Sequence, residues 1–200
     1  MKFARFLLLS VLFPLSGFGA AGMFDQFVIV NTGSSIYYDI GASTGNPDFQ
    51  GTNLGSYTTS NSLVLGGQGK SYKNGGSNVT GMRLYYRLWQ GTASGSFSQL
   101  GYNFQIDNVA GVGGDQQWGT DVAGSNGTAF DTGNLLTGLA SGFWNLEVYS
   151  EISTNGGPIA NNNGGSNFTA TFSVLPVPEP SRAILLLLGG VGILSRRRRV

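Results

Sequence analysis

Alternation of apolar and polar positions, the mark of a half-buried strand, recurs along the middle of this chain, and helical spacing is almost absent. The clearest run is Phe143 to Ser153: Trp144, Leu146, Val148, Ser150 and Ile152 share one face, and Asn145, Glu147, Tyr149 and Glu151 share the other. In Gly81 to Gln90, Met82, Leu84, Tyr86 and Leu88 alternate with Arg83, Tyr85, Arg87 and Trp89. The pattern predicts further strands at Phe27–Asn31, Ser35–Ile40, Ser62–Leu65, Phe97–Leu100, Tyr102–Asp107 and Asn167–Val174, the last with Phe168, Ala170, Phe172 and Val174 inward. Asn74-Gly75-Gly76, Asn126-Gly127, Asn155-Gly156-Gly157 and Asn163-Gly164-Gly165 supply residues that tolerate positive φ, as tight turns require. Many short strands divided by such turns predict an all-β fold, an antiparallel β-sandwich of jelly-roll or immunoglobulin-like type.

Both ends break this pattern. Lys2 and Arg5 precede the apolar run Phe6 to Leu15, and small residues follow at Gly19, Ala20, Ala21 and Gly22. That order predicts a secretory signal peptide over residues 1–22, with cleavage after Ala21 or Gly22. At the other end the strand pattern gives way to a spacer, residues 176–182, stiffened by Pro176, Pro178 and Pro180. An apolar run from Ala183 to Leu194 follows, a short hydrophobic helix by expectation, and then Arg196, Arg197, Arg198 and Arg199. Those twelve apolar residues would span roughly 18 Å as a helix, against a hydrocarbon core of roughly 30 Å. Such a run makes a poor permanent anchor, and the arginines favour the cytoplasmic face and act as a stop signal.

Val177-Pro178-Glu179-Pro180-Ser181, the apolar run and the arginine cluster together resemble the PEP-CTERM sorting signal of Gram-negative bacteria. The resemblance covers about the last 25 residues (177–200) and implies processing near the Pro-Glu-Pro motif by an exosortase, a membrane enzyme. It also implies transit through the inner membrane with transient anchoring, a destination at the cell surface or in the extracellular matrix, and association with extracellular polysaccharide. Arg182, directly before the apolar run, departs slightly from a small or polar spacer.

Between the two ends lie residues 23–175, the size of one ordinary domain. Four basic residues (Lys70, Lys73, Arg83, Arg87) stand there against nine acidic ones, leaving a net charge of −5. Nucleic acid and anionic membrane are poor partners for such a surface. Cysteine and histidine are both absent. The fold therefore has no disulfides, and the usual catalytic triads, Cys-His pairs and His/Cys zinc sites are excluded. Glycine, 33 of 200 residues, exceeds twice its usual share of about 7 per cent.

The core also resembles an uncharacterised family of bacterial surface β-domains, through Met82-Arg83-Leu84-Tyr85-Tyr86-Arg87-Leu88-Trp89, Gly114-Asp115-Gln116-Gln117-Trp118, Asn134-Leu135-Leu136-Thr137-Gly138-Leu139 and Trp144-Asn145-Leu146-Glu147-Val148-Tyr149. That resemblance implies the fold and no activity.

Three groups of side chains carry candidate chemistry. Glu147 and Glu151, four apart on one strand face, should have Cα atoms roughly 13 Å apart, beyond the carboxyl spacing of about 5 to 9.5 Å that glycosidases use. Cross-strand pairing with Arg83 and Arg87, an ion-pair ladder worth at most about 1 kcal/mol per exposed pair, is the simpler expectation. Asp107, Asp115, Asp121 and Asp131 offer hard oxygen ligands for calcium, but their spacing matches no calcium loop, and solvated turn carboxylates explain them more simply. Tyr85, Trp89 and Tyr149 on one strand face, joined by Trp118 from a loop, suit an aromatic platform for sugar rings. The same aromatics would equally suit a strand face covered by a second sheet. The sequence thus predicts an exported structural or adhesive matrix protein without catalytic residues or a required cofactor, with carbohydrate contact through the platform. A polysaccharide-acting enzyme working through carboxylates alone and a self-associating surface protein are the alternatives.

Overall fold

The computed structural model describes residues 21–73, 78–107, 109, 114–120 and 132–176. Ten strands run through them: β1 (Ala21–Asn31), β2 (Ser35–Asp39), β3 (Asn53–Tyr57), β4 (Val64–Lys73), β5 (Val79–Trp89), β6 (Ser98–Asp107), β7 (Gln116–Gly119), β8 (Gly142–Thr154), β9 (Ile159–Asn161) and β10 (Phe168–Val174). The fold is all-β, with no α-helix among the described residues, and no helix there is long and apolar enough to cross a membrane. Residues 1–20 of the expected signal peptide, the sorting motif Val177–Ser181, the apolar run and Arg196–Arg199 lie outside the described residues. The sheet begins two residues inside the expected signal segment, because Ala21 and Gly22 pair with Lys73 and Tyr72 of β4.

All ten strands belong to one curled sheet, in the order β2-β1-β4-β7-β6-β5-β8-β10-β3, with β9 extending the pairing of β8 beyond β10. Every pairing is antiparallel except β3 with β10. β6 joins the two halves: its first part, Ser98–Tyr102, pairs with β5, and its second part, Asn103–Asp107, pairs with β7. The curl brings apolar side chains from both halves into one core. Val28 and Leu65 come from the β1–β4 half, Leu84, Leu146, Val148 and Phe172 come from the β5–β8–β10 half, and Phe49, Leu63 and Leu136 enter from connections. Each such side chain contributes about 1.5–3 kcal/mol when fully buried, which is how a chain without disulfides holds together.

The alternation of β10 holds throughout and that of β5 and β8 in the main: Tyr86, Leu88 and Trp144 are only half-buried against the core, and Glu147, on the opposite face, is buried. Met82, Leu84, Leu146, Val148, Ile152, Phe168, Ala170, Phe172 and Val174 are buried. Other strands depart from the sequence expectation. β4 extends eight residues beyond Leu65, through Gly66, Gly67 and Gly69, because those glycines make room for large neighbours. An added Cβ at Gly67 would lie 1.9 Å from the Tyr102 hydroxyl oxygen, and one at Gly69 would lie 2.7 Å from the Met82 sulfur. The two segments expected on either side of Gly101 form one continuous strand, β6. β3, β7 and β9, each of five residues or fewer, were not legible in the alternation.

A polar bridge crosses the core. A register shift between Phe24 and Phe27, with Asp25 at φ 45°, turns Gln26 inward. Its Oε1 accepts from the Ser150 hydroxyl of β8 and, at 3.2 Å, from Asn161 Nδ2, whose other hydrogen goes to Ile40 O at 2.7 Å. Gln26 and Ser150 are buried, so each satisfies a partner that would otherwise be stranded, and the bridge fixes how the halves meet.

Candidate functional site

The candidate site occupies the outer face of β5 and β8. Antiparallel register sets Arg83 opposite Glu151, Tyr85 opposite Tyr149, Arg87 opposite Glu147 and Trp89 opposite Asn145. Residues facing each other this way stand about 4.5–5.5 Å apart at Cβ, so the face is a ladder of direct side-chain pairs.

Glu147 is its electrostatic centre. Only 5% exposed, it receives Arg87 Nε at 2.8 Å and Nη2 at 3.1 Å, Trp89 Nε1 at 3.1 Å, and Asn167 Nδ2 at 2.6 Å. Those donors fill the lone pairs of the carboxylate. Arg87 in turn donates Nη1 to Gly95 O at 3.2 Å and lies over the Phe97 ring, 4.5 Å from its centroid. The connection between β5 and β6 is thereby folded back onto the sheet.

The register expected for an Arg-Glu ladder is present, but its character differs from expectation. Arg87–Glu147 is a buried, bidentate pair with side chains 20% and 6% exposed, not an exposed one. Trp89, Asn167 and Phe97 close over it and remove the water that would screen it. Breaking such a pair from one side costs about 3–5 kcal/mol, because a buried charge is left behind. Arg83 and Glu151 face each other without forming an ion pair among the described residues. Glu151 instead accepts from the Tyr85 hydroxyl at 3.3 Å.

The structure brings Tyr85 and Tyr149 together, their rings 4.6 Å apart and within 6° of parallel. They stack on each other instead of lying side by side as a flat platform, and Phe97 meets Tyr149 edge-on at 5.1 Å. Burial first, then the neighbouring Tyr85 and Glu151, raise the Tyr149 hydroxyl above the usual tyrosine pKa. Trp89 borders the cluster with its indole N–H committed to Glu147. Trp118 does not join this face. It sits in β7, not in a loop, is 6% exposed, and donates Nε1 to Ser71 Oγ at 3.0 Å inside the core. Alternation in so short a strand points Trp118 inward and Gln117 outward.

Of the four aspartates considered for calcium, Asp107 ends β6 opposite Gln116, and Asp115 precedes β7, its carbonyl accepting from Val109 N at 3.2 Å. Asp121 and Asp131 lie outside the described residues. Among the described residues no three His, Cys, Asp or Glu side chains gather where a metal could be held.

Two contributors escaped the sequence reading. Phe97, expected to open a strand, instead caps Arg87, and Asn167, expected only as the first residue of a strand, reaches Glu147 from the start of β10. Asn167 has φ 56°, a left-handed backbone that asparagine tolerates better than most residues; a lone asparagine before a strand is the one signal that could have marked it. No protein-family model matches the sequence, and no curated protein matches it.

Proposed function

We propose that this chain is an exported surface or matrix protein, processed at a PEP-CTERM signal by an exosortase-type enzyme. In this reading its domain is a β-sandwich that serves as a structural or adhesive component of extracellular polysaccharide. The outer face of β5 and β8 is its carbohydrate contact, through Tyr85, Tyr149 and the exposed part of Trp89. Two observations from the sequence support the route: the signal-peptide pattern and the ordered motif, apolar run and arginine cluster at the end.

The observation that carries the binding role over catalysis is the saturation of Glu147. Glycosidic chemistry through carboxylates needs one group free to give or take a proton and a second at matched distance. Glu147 already holds four N–H donors, and Glu151 sits four residues along the strand. A face held rigid by its own hydrogen bonds offers a preformed surface, which lowers the ordering cost of binding.

The test is binding of the purified mature protein to matrix polysaccharide from its producer, with and without calcium, while release of reducing ends is followed. Saturable binding without release, weakened by Tyr85→Ala or Tyr149→Ala, is the expected result. Release of reducing ends would reject the non-catalytic reading. A second reading has its own observation: the sheet is an open path with edges at β2 and β3, and open edges can pair with another copy. Concentration-dependent sedimentation in the absence of polysaccharide would favour that self-association.

A further inference from the structure

Four Asn-Gly steps occur in the chain, at 74–75, 126–127, 155–156 and 163–164, and the last two lie among the described residues. An asparagine followed by glycine is the step at which the next backbone nitrogen most easily reaches the side-chain carbonyl carbon, since glycine has no Cβ to crowd the approach. The fold treats the two described steps differently.

At Asn155 every participant is held. Its backbone N–H bonds to Asn78 O at 3.2 Å, its Oδ1 accepts from Asn78 N at 3.1 Å, and Gly156 N donates to Thr154 Oγ1 at 3.1 Å. Both the electrophile and the nucleophile must leave hydrogen bonds before they can meet. Asn163 sits instead in an exposed 3-10 turn, Asn163–Gly165, with φ 50° at Asn163 and φ 65° at Gly164. Around it Gly165 N, Ser166 N and Asn167 N all find carbonyl partners, while Gly164 N has none among the described residues. Among the described residues the side chain makes one bond, Nδ2 to Asn167 O at 3.1 Å, and its carbonyl accepts none.

We propose that Asn163-Gly164 is a site of spontaneous deamidation through a cyclic imide, and that the fold suppresses the same reaction at Asn155-Gly156. Gly164 N forms a bond to Asn163 Cγ and gives up its proton. The Cγ–Nδ2 bond breaks, and the nitrogen leaves as ammonia. Water then adds across either imide C–N bond, opening the ring to an aspartyl or isoaspartyl carboxylate. The new carboxylate replaces the donor that held Asn167 O and faces that oxygen with negative charge. Asn167 is the residue that brackets Glu147, so this slow chemistry reaches the ion pair of the β5–β8 face.

The experiment incubates the intact purified protein in heavy-oxygen water at mildly alkaline pH and maps peptides by mass spectrometry. Label should enter at residue 163 about tenfold to hundredfold faster than at residue 155, the factor expected when two hydrogen bonds must open first. Thr154→Val, which frees Gly156 N, should raise the rate at Asn155. In concentrated urea the two rates should converge. Equal rates in the folded protein, or faster reaction at Asn155, would overturn the proposal, and so would a difference that survives unfolding, since local sequence would then be its cause.

Discussion

The β5–β8 half and the β4–β7 half of the sheet solve one packing problem by opposite means. Between β5 and β8, large side chains stand on both faces along most of the pairing and interlock across the strands, as in Tyr85 with Tyr149 and Arg87 with Glu147. Between β4 and β7 the strands are stripped to Gly66, Gly67, Gly69 and Gly119, and neighbours fill the space: Thr120, Tyr102, Met82 and Gln105 occupy the volume that those Cβ atoms would take. The first half draws stability from what its own residues carry, the second from what they lack. The polar accounts differ accordingly. Glu147 is saturated with donors, whereas Tyr102 Oη, Gln105 Nε2 and Gln116 Oε1 are buried without hydrogen-bond partners among the described residues.

The most severe break in this comparison should come from Glu147→Ala, which strands a buried guanidinium. A loss of about 3–5 kcal/mol is expected, read by urea unfolding followed through tryptophan fluorescence. A loss below about 1 kcal/mol would mean that the pair behaves as an exposed one.

Next in size is Gly67→Ala. Its Cβ would meet Tyr102 Oη at 1.9 Å, so overpacking of about 1–3 kcal/mol is expected. Tyr102→Leu in the same chain should relieve most of that strain, and a double-mutant cycle measures the coupling. Additive effects would show that the glycine is not there to admit the tyrosine.

Tyr102→Phe tests the polar account and should be stabilising by about 1 kcal/mol at neutral pH, because it removes a buried hydroxyl with no partner among the described residues. It also carries a pH signature. Burial raises the Tyr102 pKa far above its usual value of 10.0, so the folded state keeps a proton that the unfolded chain releases. Stability is therefore fully present below about pH 10 and declines as pH rises from there toward the folded-state pKa. Tyr102→Phe should flatten that decline in alkaline denaturation curves. An unchanged slope would assign it to Tyr57 and Tyr149, whose pKa values are also raised, chiefly by burial.

The smallest effect belongs to Arg83→Ala, which should stay within about 0.5 kcal/mol. Arg87→Ala, two pairs along the same ladder, should approach the Glu147 value. Similar losses at both arginines would erase the distinction between a closed rung and an open one.

The two halves also differed in how much the chain disclosed. β5, β8 and β10 could be read because burial on one face imposes a period of two on the side chains, and even the opposition of Arg83 and Arg87 to Glu151 and Glu147 followed from matched spacing. β4 could not be read beyond Leu65, since glycine carries no hydropathy signal and the side chains that justify it, such as Tyr102, are distant in sequence. Gly101 split β6 in the reading for the same reason. The register of the candidate site was legible, but its burial was not, because closure depends on Phe97 and Asn167, which reach it from a connection and from the start of β10. Trp118 was misplaced because four residues are too few to display a period.

One feature of the sheet governs how the domain would answer a pull. β10 lies between an antiparallel neighbour, β8, and a parallel one, β3, and the chain leaves it through Leu175, whose N–H is held by Tyr57 O at 2.7 Å. A pull on the chain beyond Pro176 that is directed along the β10 axis would load the hydrogen bonds on both flanks together in shear instead of opening them one at a time. A domain tethered through that end would yield abruptly at high force and hold firm below it.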